Sequence, residues 1–330
     1  MSPVKFAFGK PVTLRYLFDR ENELNDLMGK RGSFVYGPLG IGKTSLIKSI
    51  PELAGLNSIY LNGESISSTK SLAKALKSAL SAATKNLSNK KAFEGAIIEI
   101  ENFMQGKSDA LTFMKNFFNE LSLSANSENF ILLFDEFCKL RRIGPNFLYL
   151  SRELYRKVKE GHLKAVIASS EIGCSKEILD RKDLPLKLVF NPIYLKPFSY
   201  EISVDFLSKG LESYSVSCSK NNLTEAYYVS EGFPIWLSLI GMRMLEGKCD
   251  PKGIYHDPRA QSFWIKILLS LSKKERLMLR YISKSLDFKE VGPHSRRTLK
   301  ALIRRGLVIE NEKLEIADPV LYYMLKNEIL

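Results

Sequence analysis

A short stretch near the start of the chain combines three glycines with a lysine and a threonine. The stretch reads Gly37-Pro38-Leu39-Gly40-Ile41-Gly42-Lys43-Thr44-Ser45. It follows a β-branched and aromatic run at 33–36 and precedes a helical pattern through Leu46, Ile47 and Ile50. Glycines let backbone N–H groups come close to a phosphate, and the next helix would direct its unpaired amides at the same anion. The stretch therefore predicts a phosphate-binding loop made by residues 37–45.

Lys43 and Thr44 have separate expected roles in this loop. Lys43 would reach the β- and γ-phosphate oxygens of a nucleotide, and the Thr44 hydroxyl would complete the coordination of Mg²⁺. The alternative is a glycine-rich turn that carries an incidental lysine. The strand before the loop and the helix after it favour the phosphate-binding interpretation.

A buried strand that ends in two adjacent carboxylates is the second candidate for chemistry. Its sequence is Phe130-Ile131-Leu132-Leu133-Phe134-Asp135-Glu136-Phe137. A continuous apolar run this short is typical of a strand buried on both faces of a parallel sheet. We expect Asp135 to bind Mg²⁺ opposite Thr44, and Glu136 to polarise the attacking water as a general base. A strand that ends in an ordinary polar turn is the alternative.

Two residues upstream of the loop are candidates for contact with a nucleotide. Phe18 could pack on a purine ring, and Arg20 would lie close to the nucleotide or in solvent. The same segment also fits an ordinary capped helix within residues 12–28.

The strands that must position these groups alternate with helical patterns as far as residue 196. We predict strands at 33–36, 57–62, 130–137, 164–170 and 188–195. In phosphate-loop ATPases of the additional-strand class, the fourth of these strands ends beside the γ-phosphate. Ser169 or Ser170 would be the polar sensor there, and Ser169 is our choice. Pro192 argues for an edge position of the fifth strand. The pattern predicts a three-layer α/β domain over residues 1–196.

After residue 197 the alternation of strands and helices stops. Helical patterns at 198–211, 223–230 and 234–244 predict a small helical lid over the nucleotide, within residues 197–255. Residues 256–330 then contain helices near 272–282 and 295–306, a compact hairpin, and a last helix opened by Asp318-Pro319. Helices followed by a hairpin are typical of a winged-helix domain.

Basic residues align on the second helix of that domain. They are Arg296, Arg297, Lys300 and Arg304. Such a helix could enter the major groove of double-stranded DNA. The net charge of +13 over 330 residues would also attract a phosphate polymer. The alternative is a protein-docking or regulatory winged helix whose charges are merely solvated.

The composition is that of an ordinary globular protein, since 45% of the residues are hydrophobic and 26% are charged. The cysteines, Cys138, Cys174, Cys218 and Cys249, form no C-x-x-C pair. We therefore expect a reducing cytoplasm rather than a disulfide framework. The histidines are far apart, so no zinc site is proposed. The sequence contains no signal-peptide core and no run of membrane-spanning length, and we expect no membrane partner.

Together these motifs resemble the archaeal ATPase family, in the STAND branch close to the AAA+ proteins. The resemblance rests on Phe18-x-Arg20-Glu21-x-Glu23-Leu24, Gly37-Pro38-x-Gly40-x-Gly42-Lys43-Thr44, Leu133-Phe134-Asp135-Glu136 and Ser169-Ser170. Gly232-x-Pro234 and Asp318-Pro319-x-Leu321 also look like that family. The resemblance spans nearly the whole chain. It implies ATP rather than GTP, a sheet of strand order 5-1-4-3-2, a helical lid, a winged-helix tail, and contact of Pro234 with the adenine.

We therefore predict an ATP-binding, Mg²⁺-dependent ATPase that is slow and acts as a nucleotide switch coupled to double-stranded DNA. One alternative is an AAA+ replication initiator that resembles archaeal origin-recognition proteins, although the sequence has no evident lid arginine of that class. Another is an ATP-gated scaffold or regulator that does not hydrolyse its nucleotide. Self-association and the identity of any arginine finger stay open.

Overall fold

The computed structural model describes residues 4–85, 91–125, 129–183, 186–285, 295–310 and 312–330. Within them, five parallel strands form the central sheet. The strands are β1 (Gly32–Tyr36), β2 (Asn57–Asn62), β3 (Phe130–Asp135), β4 (Ala165–Ser169) and β5 (Phe190–Tyr194). Their spatial order is β2-β3-β4-β1-β5, which is the predicted order read in reverse. The predicted sheet is therefore confirmed.

The strand order decides which residues meet at the carboxyl edge of the sheet. β4 lies between β3 and β1, so the end of the phosphate-loop strand and the acidic end of β3 flank the end of β4. Tyr36 is paired with Ser169, and Asn62 is paired with Asp135. β5 lies at the outer edge beside β1, where the missing N–H of Pro192 leaves no interior ladder bond unmade.

Helices cover both faces of the sheet. They are α1 (Glu21–Met28), α2 (Lys43–Ala54), α3 (Thr69–Thr84), α4 (Glu94–Met104), α5 (Ala110–Ala125), α6 (Asn146–Lys159) and α7 (Ile172–Leu179). A 3-10 helix at Phe137–Ile143 follows β3 directly, and a shorter one at Leu14–Tyr16 precedes α1. The short helix predicted within residues 12–28 corresponds to α1, and the 3-10 helix before it was not predicted.

The sheet separates two hydrophobic clusters, and β3 contributes to both. Ile131 and Leu133 belong to the cluster that contains α2, whereas Leu132 and Phe134 belong to the cluster under α3–α6. This alternation follows from the period of two in a strand, and it explains why the whole strand reads as one apolar run.

Three helices follow the sheet, namely α8 (Tyr200–Glu212), α9 (Lys220–Ser230) and α10 (Pro234–Leu245). The side chains of Ser199 and Ser219 cap α8 and α9, accepting from the amides of Ile202 and Asn222. α10 begins with Pro234 at its first position, where a proline removes no helical hydrogen bond.

A disulfide joins Cys218, just before α9, to Cys249, just after α10. The expectation of no disulfide was therefore wrong for this pair. The two cysteines are 31 positions apart in sequence, and the antiparallel course of α9 and α10 brings their Cα atoms to 5.8 Å. The cysteine spacing consequently no longer argues for a reducing compartment.

The remaining elements are α11 (Pro258–Leu269), α12 (Lys273–Ser283), α13 (Ser295–Arg304), β6 (Val308–Glu310), β7 (Leu314–Ile316) and α14 (Pro319–Lys326). β6 and β7 pair antiparallel, as the predicted hairpin requires. α11 was not predicted. The order of α12, α13, the hairpin and α14 fits the predicted winged helix. That interpretation and the domain limits at 196 and 255 stay predictions.

The cluster that contains α2 is continuous with the helices after the sheet and with the C-terminal elements. It includes Val35 of the sheet, Trp236 of α10, Trp264 of α11 and Leu302 of α13. Among the described residues, no helix combines the length and the apolar composition that a bilayer crossing needs.

Candidate functional site

The phosphate loop connects β1 to the first turn of α2. Gly40 and Gly42 have positive φ angles of 78° and 99°, a conformation that glycine adopts readily. Lys43 is the first residue of α2 and is 5% exposed. Its Nζ donates to the carbonyl oxygens of Gly37 at 3.0 Å and Pro38 at 2.7 Å. The ammonium group is thus held over the loop by two neutral acceptors.

The electrostatics at Lys43 favour an anion. Burial lowers the pKa of Lys43, whereas the nearby charges of Glu136 and Asp135 raise it. The unpaired N–H groups in the first turn of α2 add a partial positive charge at the same position. A phosphate at this point would restore the solvation that burial removes from the ammonium group.

Asp135, at the end of β3, is bonded to three groups. The Thr44 hydroxyl donates to Oδ2 at 2.7 Å, and the Tyr60 hydroxyl donates to the same atom at 2.8 Å. The backbone N–H of Glu136 donates to Oδ1 at 3.0 Å. A hydroxyl and a carboxylate in contact are hard oxygen ligands of the kind that Mg²⁺ prefers. Thr44 and Asp135 therefore fit a Mg²⁺ site.

Glu136 follows Asp135 and has a left-handed φ of 49°, which is uncommon for a residue with a side chain. Its Oε2 accepts from Ser170 through the hydroxyl at 2.6 Å and the backbone N–H at 3.3 Å. Burial raises the pKa of Glu136, and Lys43 partly opposes that change. A carboxylate with a raised pKa is a better proton acceptor.

Ser170, rather than Ser169, contacts this carboxylate. The Ser169 side chain is fully buried, and its Oγ accepts from the backbone N–H of Glu171 at 3.2 Å. Ser169 is the last residue of β4, and Ser170 directly follows it. The choice of Ser169 over Ser170 as the polar sensor for the γ-phosphate stays a prediction.

A cavity of about 230 Å³ extends from the loop. Its wall is made by the loop residues 39–45, by parts of the N-terminal segment 5–20, and by Glu136, Phe198, Phe206, Pro234, Ile235 and Ser238. The lining also contains several apolar side chains, among them Phe18, Phe198, Phe206 and Ile235. The cavity can thus hold a charged group at one end and a flat apolar group at the other.

Phe18, Arg20 and Pro234 all line this cavity. The ring of Phe18 packs edge-on against Phe206, with centroids 5.4 Å apart. Arg20 is 7% exposed and donates to the carbonyl of Lys196 at 2.9 Å. Its guanidinium lies 4.8 Å from the centroid of Phe198. Arg20 therefore joins α1 to the segment after β5 as well as bordering the cavity.

The predicted DNA-contacting residues lie apart from this cavity, on α13. Arg296, Arg297 and Lys300 are exposed. Arg304 is also exposed, and its Nη2 lies 2.6 Å from the carboxylate of Glu177 in α7. All four residues stay predicted DNA contacts.

Two residues in or beside the site were missed from the sequence. Tyr60 of β2 reaches Asp135 because β2 and β3 are neighbours in register. Ile235 of α10 lies so close to Gly40 that a methyl group added at Gly40 would be 2.5 Å from the Cγ2 atom of Ile235. The period of two along β2 could have placed Tyr60 on the same side as Asn62, but no local signal identifies Ile235.

Comparison with known proteins provides independent information on the family. Residues 17–240 match a family model described as an ATPase domain predominantly from Archaea. This match spans the loop, β3 and the three helices after the sheet except for the end of α10. No curated protein matches the sequence.

Several solved structures have a similar fold. The Walker-type ATPase paby2304 of Pyrococcus abyssi has a TM-score of 0.76 and 21% sequence identity, with 97% of this chain and 99% of that chain covered. The ORC2 protein of Aeropyrum pernix, solved as ADPNP–ADP complexes, has a TM-score of 0.56 and 15% identity, with 98% of each chain covered. Cdc6p from Pyrobaculum aerophilum has a TM-score of 0.50 and 14% identity, with 98% of each chain covered. The fold is that of the P-loop ATPases.

Proposed function

Because the chain belongs to the family of ATPase domains found predominantly in Archaea, we propose that it binds ATP with Mg²⁺ and hydrolyses the nucleotide slowly. The observation that carries the proposal is the convergence of Lys43, Thr44, Asp135 and Glu136 at one edge of the sheet. We further propose that residues 1–196 are the ATPase core, 197–255 the lid and 256–330 a winged helix.

Lys43 and the loop amides would hold the phosphates. The Lys43 ammonium donates to two loop carbonyls, and phosphate oxygens would be stronger, charged acceptors for the same protons. Thr44 and Asp135 would hold Mg²⁺, which when bound neutralises charge on the phosphates. Phe18 and Pro234 line the apolar part of the cavity and would enclose the adenine.

Glu136 is the proposed general base. Its raised pKa suits a proton acceptor, and its position beside Lys43 and Asp135 suits a water aligned with the terminal phosphate. The two hydrogen bonds from Ser170 hold Oε2 and so fix the orientation of the carboxylate, and Oε1 can accept from a water.

The test compares Glu136→Gln with the wild-type protein. The variant should bind a fluorescent ATP analogue with unchanged affinity, because the amide keeps the shape of the side chain. It should release phosphate about 10²–10⁴-fold more slowly, since an amide cannot accept the proton from water. Single-turnover phosphate release with Mg²⁺ provides the rate.

Two further variants delimit the result. Lys43→Ala should abolish binding of the analogue, whereas Glu160→Gln, at the exposed end of α6, should change neither binding nor release. Equal phosphate release by wild type and Glu136→Gln would contradict hydrolysis at this site. It would favour the ATP-gated scaffold or regulator that does not turn the nucleotide over.

The second candidate function is nucleotide-dependent binding of double-stranded DNA by α13. The exposed Arg296, Arg297 and Lys300 favour it, together with the net charge of +13. In this proposal ATP closes the lid and changes how the C-terminal segment is presented to DNA. Binding should weaken with salt because each neutralised phosphate releases counterions.

A charge-matched pair of variants tests the DNA proposal. Arg296→Glu with Lys300→Glu should weaken binding of a random-sequence duplex at least tenfold and reduce its salt slope by about two. Lys273→Glu with Lys274→Glu changes the net charge equally on α12, whose two lysines are also exposed, and should have a smaller effect. If both double variants lost the same affinity for the duplex, the loss would reflect net charge alone, and α13 would not be the DNA-binding helix. Strong preference for one defined duplex would favour the origin-binding initiator.

A further inference from the structure

Two free cysteines and a glutamate form a compact cluster behind the acidic edge of the sheet. Cys138 lies in the 3-10 helix after β3, Cys174 lies in α7, and Glu171 lies just before α7. Within the described residues, their sulfur and carboxylate oxygen atoms all lie within 4.8 Å of one another. Both cysteines are free thiols and are buried. The proposed function gives this pair no role.

The surroundings favour a thiolate at Cys174. Its Sγ accepts from Nη1 of Arg141 at 3.3 Å. The pKa of Cys174 is lowered first by the hydrogen bond from Cys138 and further by the Arg141 guanidinium. Burial raises the pKa of Cys138, so Cys138 keeps the proton. The pair therefore combines a stabilised thiolate with a neighbouring thiol, as in dithiols that form disulfides.

A divalent metal fits the same cluster poorly. The Glu171 carboxylate is already paired with Lys139, whose Nζ is 3.2 Å from Oε1. Arg141 donates directly to Cys174. A dication between the two sulfurs would thus face an ammonium and a guanidinium at short range, and the carboxylate would have to leave its partner. Disulfide formation places no positive charge there.

We propose that Cys138 and Cys174 are a redox-active pair that closes to a disulfide on reaction with a hydroperoxide. The Cys174 thiolate attacks one peroxide oxygen, the O–O bond breaks, and the departing hydroxide takes the proton of Cys138 to become water. The Cys138 thiolate then attacks the Cys174 sulfenic acid, and the S–S bond forms as a second hydroxide leaves and is protonated by solvent. The thiols lose two electrons and the peroxide gains them.

The position of Cys138 and Cys174 determines how a peroxide reaches them and which elements a disulfide between them would join. The neighbouring side chains of Lys139, Glu171 and Arg141 are 18%, 13% and 33% exposed, whereas the two thiols themselves are buried. A peroxide of nearly the size of water suits such a site. The bond would tie the 3-10 helix after Glu136 to the helix after Ser170. The proposal concerns thiol chemistry alone and stands whether or not the protein hydrolyses ATP.

The experiment uses Cys218→Ser with Cys249→Ser, in which Cys138 and Cys174 are the only cysteines of the chain's four that remain. After reduction and removal of the reductant, denatured protein should contain two titratable thiols. Treatment with one equivalent of hydrogen peroxide should reduce the count to zero, and dithiothreitol should restore it. Peptide mapping should identify one peptide pair joined through Cys138 and Cys174.

Wild-type protein provides the same measurement if the double variant does not fold, because peptide mapping separates the two disulfides. Cys138→Ser should instead leave Cys174 as a sulfenic acid that dimedone traps. Two outcomes would overturn the proposal. One is that peroxide leaves both thiols free or oxidises them singly without a bond. The other is one zinc ion per reduced chain that is released only when these thiols are blocked.

Discussion

At the scale of single residues, Asp135 is the most constrained group of the site. Its Oδ2 accepts from Thr44 and Tyr60, and its Oδ1 accepts from the backbone of Glu136. Burial and the charge of Asp135 raise the pKa of Tyr60, so the phenol stays protonated and can only donate in this contact. The Lys48 ammonium lies 4.1 Å from the Tyr60 ring centroid and holds the ring in place. Tyr60 is therefore a positioning residue for the proposed metal ligand.

Tyr60→Phe should weaken the Mg²⁺-dependent part of nucleotide binding about tenfold. The reason is that a hydrogen bond to a charged acceptor contributes about 1.5–3 kcal/mol, and Asp135 would lose one that orients its Oδ2. The measurement is the affinity for a fluorescent ATP analogue across a series of Mg²⁺ concentrations. Affinity measured in EDTA should change little.

Tyr194→Phe is the matched control, because Tyr194 lies at the end of the edge strand β5 and is 40% exposed. It should leave the Mg²⁺ dependence unchanged. If Tyr60→Phe weakened binding equally with Mg²⁺ and in EDTA, the tyrosine would be a general packing residue rather than one that positions Asp135.

At the scale of elements, the phosphate loop and α10 fit together at Gly40. The residue has a φ of +78°, and a methyl group there would lie 2.5 Å from Cγ2 of Ile235. Ile235 is the second residue of α10 and is 9% exposed. A glycine is therefore needed for two reasons, the backbone conformation and the close approach of the lid helix.

Gly40→Ala should destabilise the protein more than strain alone explains and should also weaken nucleotide binding. The strain can be measured separately with Gly247→Ala, because Gly247 has a φ of +80° and nothing within 4 Å of the added methyl group. Gly247→Ala should lower the free energy of unfolding by about 1–2 kcal/mol and leave nucleotide binding unchanged. Urea unfolding and titration with the ATP analogue provide both quantities.

A compensating variant makes the test specific. Ile235→Ala removes the Cγ2 and Cδ1 atoms that the new methyl group would meet at 2.5 and 3.3 Å, although Cβ at 2.9 Å remains, so it should recover part of the binding lost in Gly40→Ala. No recovery in the double variant would mean that the loop itself, and not its contact with α10, is responsible for the loss.

At the scale of the whole molecule, polar contacts connect the C-terminal elements to the rest of the chain. Glu177 of α7 pairs with Arg304 of α13 and with Arg141 after β3. Asp318 caps α14 through the amide of Leu321 at 2.8 Å and also accepts from Nε1 of Trp236 in α10 at 2.7 Å. These side chains span long distances in sequence, so they depend on the complete fold.

Asp318 should make stability depend on pH. Burial raises its pKa from 3.8 to about 7, although the bonds from Leu321 and Trp236 oppose that rise. Between about pH 4 and 7 the folded chain then holds a proton that the unfolded chain has released. Stability should therefore decrease as pH rises through this window, by at most about 1.4 kcal/mol per pH unit.

Asp318→Asn removes this titration, so the stability of the variant relative to wild type should improve steadily from pH 5 to pH 7 and level off above. Urea unfolding at several pH values measures the difference. Asp109→Asn is the control. Asp109 is exposed, its carboxylate accepts from the backbone N–H of Thr112, and the pKa of Asp109 is lowered. The difference in free energy of unfolding between Asp109→Asn and wild type should be constant over the same pH range. A constant difference for Asp318→Asn as well would show that Asp318 is ionised throughout.

The sequence by itself determined the sheet, its strand order through a family resemblance, and the proximity of the loop to the acidic end of β3. Short motifs carry this information because glycine spacing, apolar run length and adjacent carboxylates are local properties that any fold of the chain must accommodate. Helix starts such as Ser199, Pro234 and Asp318 are also local, since a cap acts within one turn.

Only the tertiary structure decided which side chains meet across elements. Cys218 bonds to Cys249 because α9 and α10 run antiparallel. Tyr60 reaches Asp135 because β2 lies beside β3. Arg304 pairs with Glu177 because α13 packs on α7. Ser170 bonds to Glu136 because it directly follows β4, which lies beside β3 in the sheet. Each contact depends on packing between segments far apart in sequence, and a local sequence pattern does not specify which distant segments pack together.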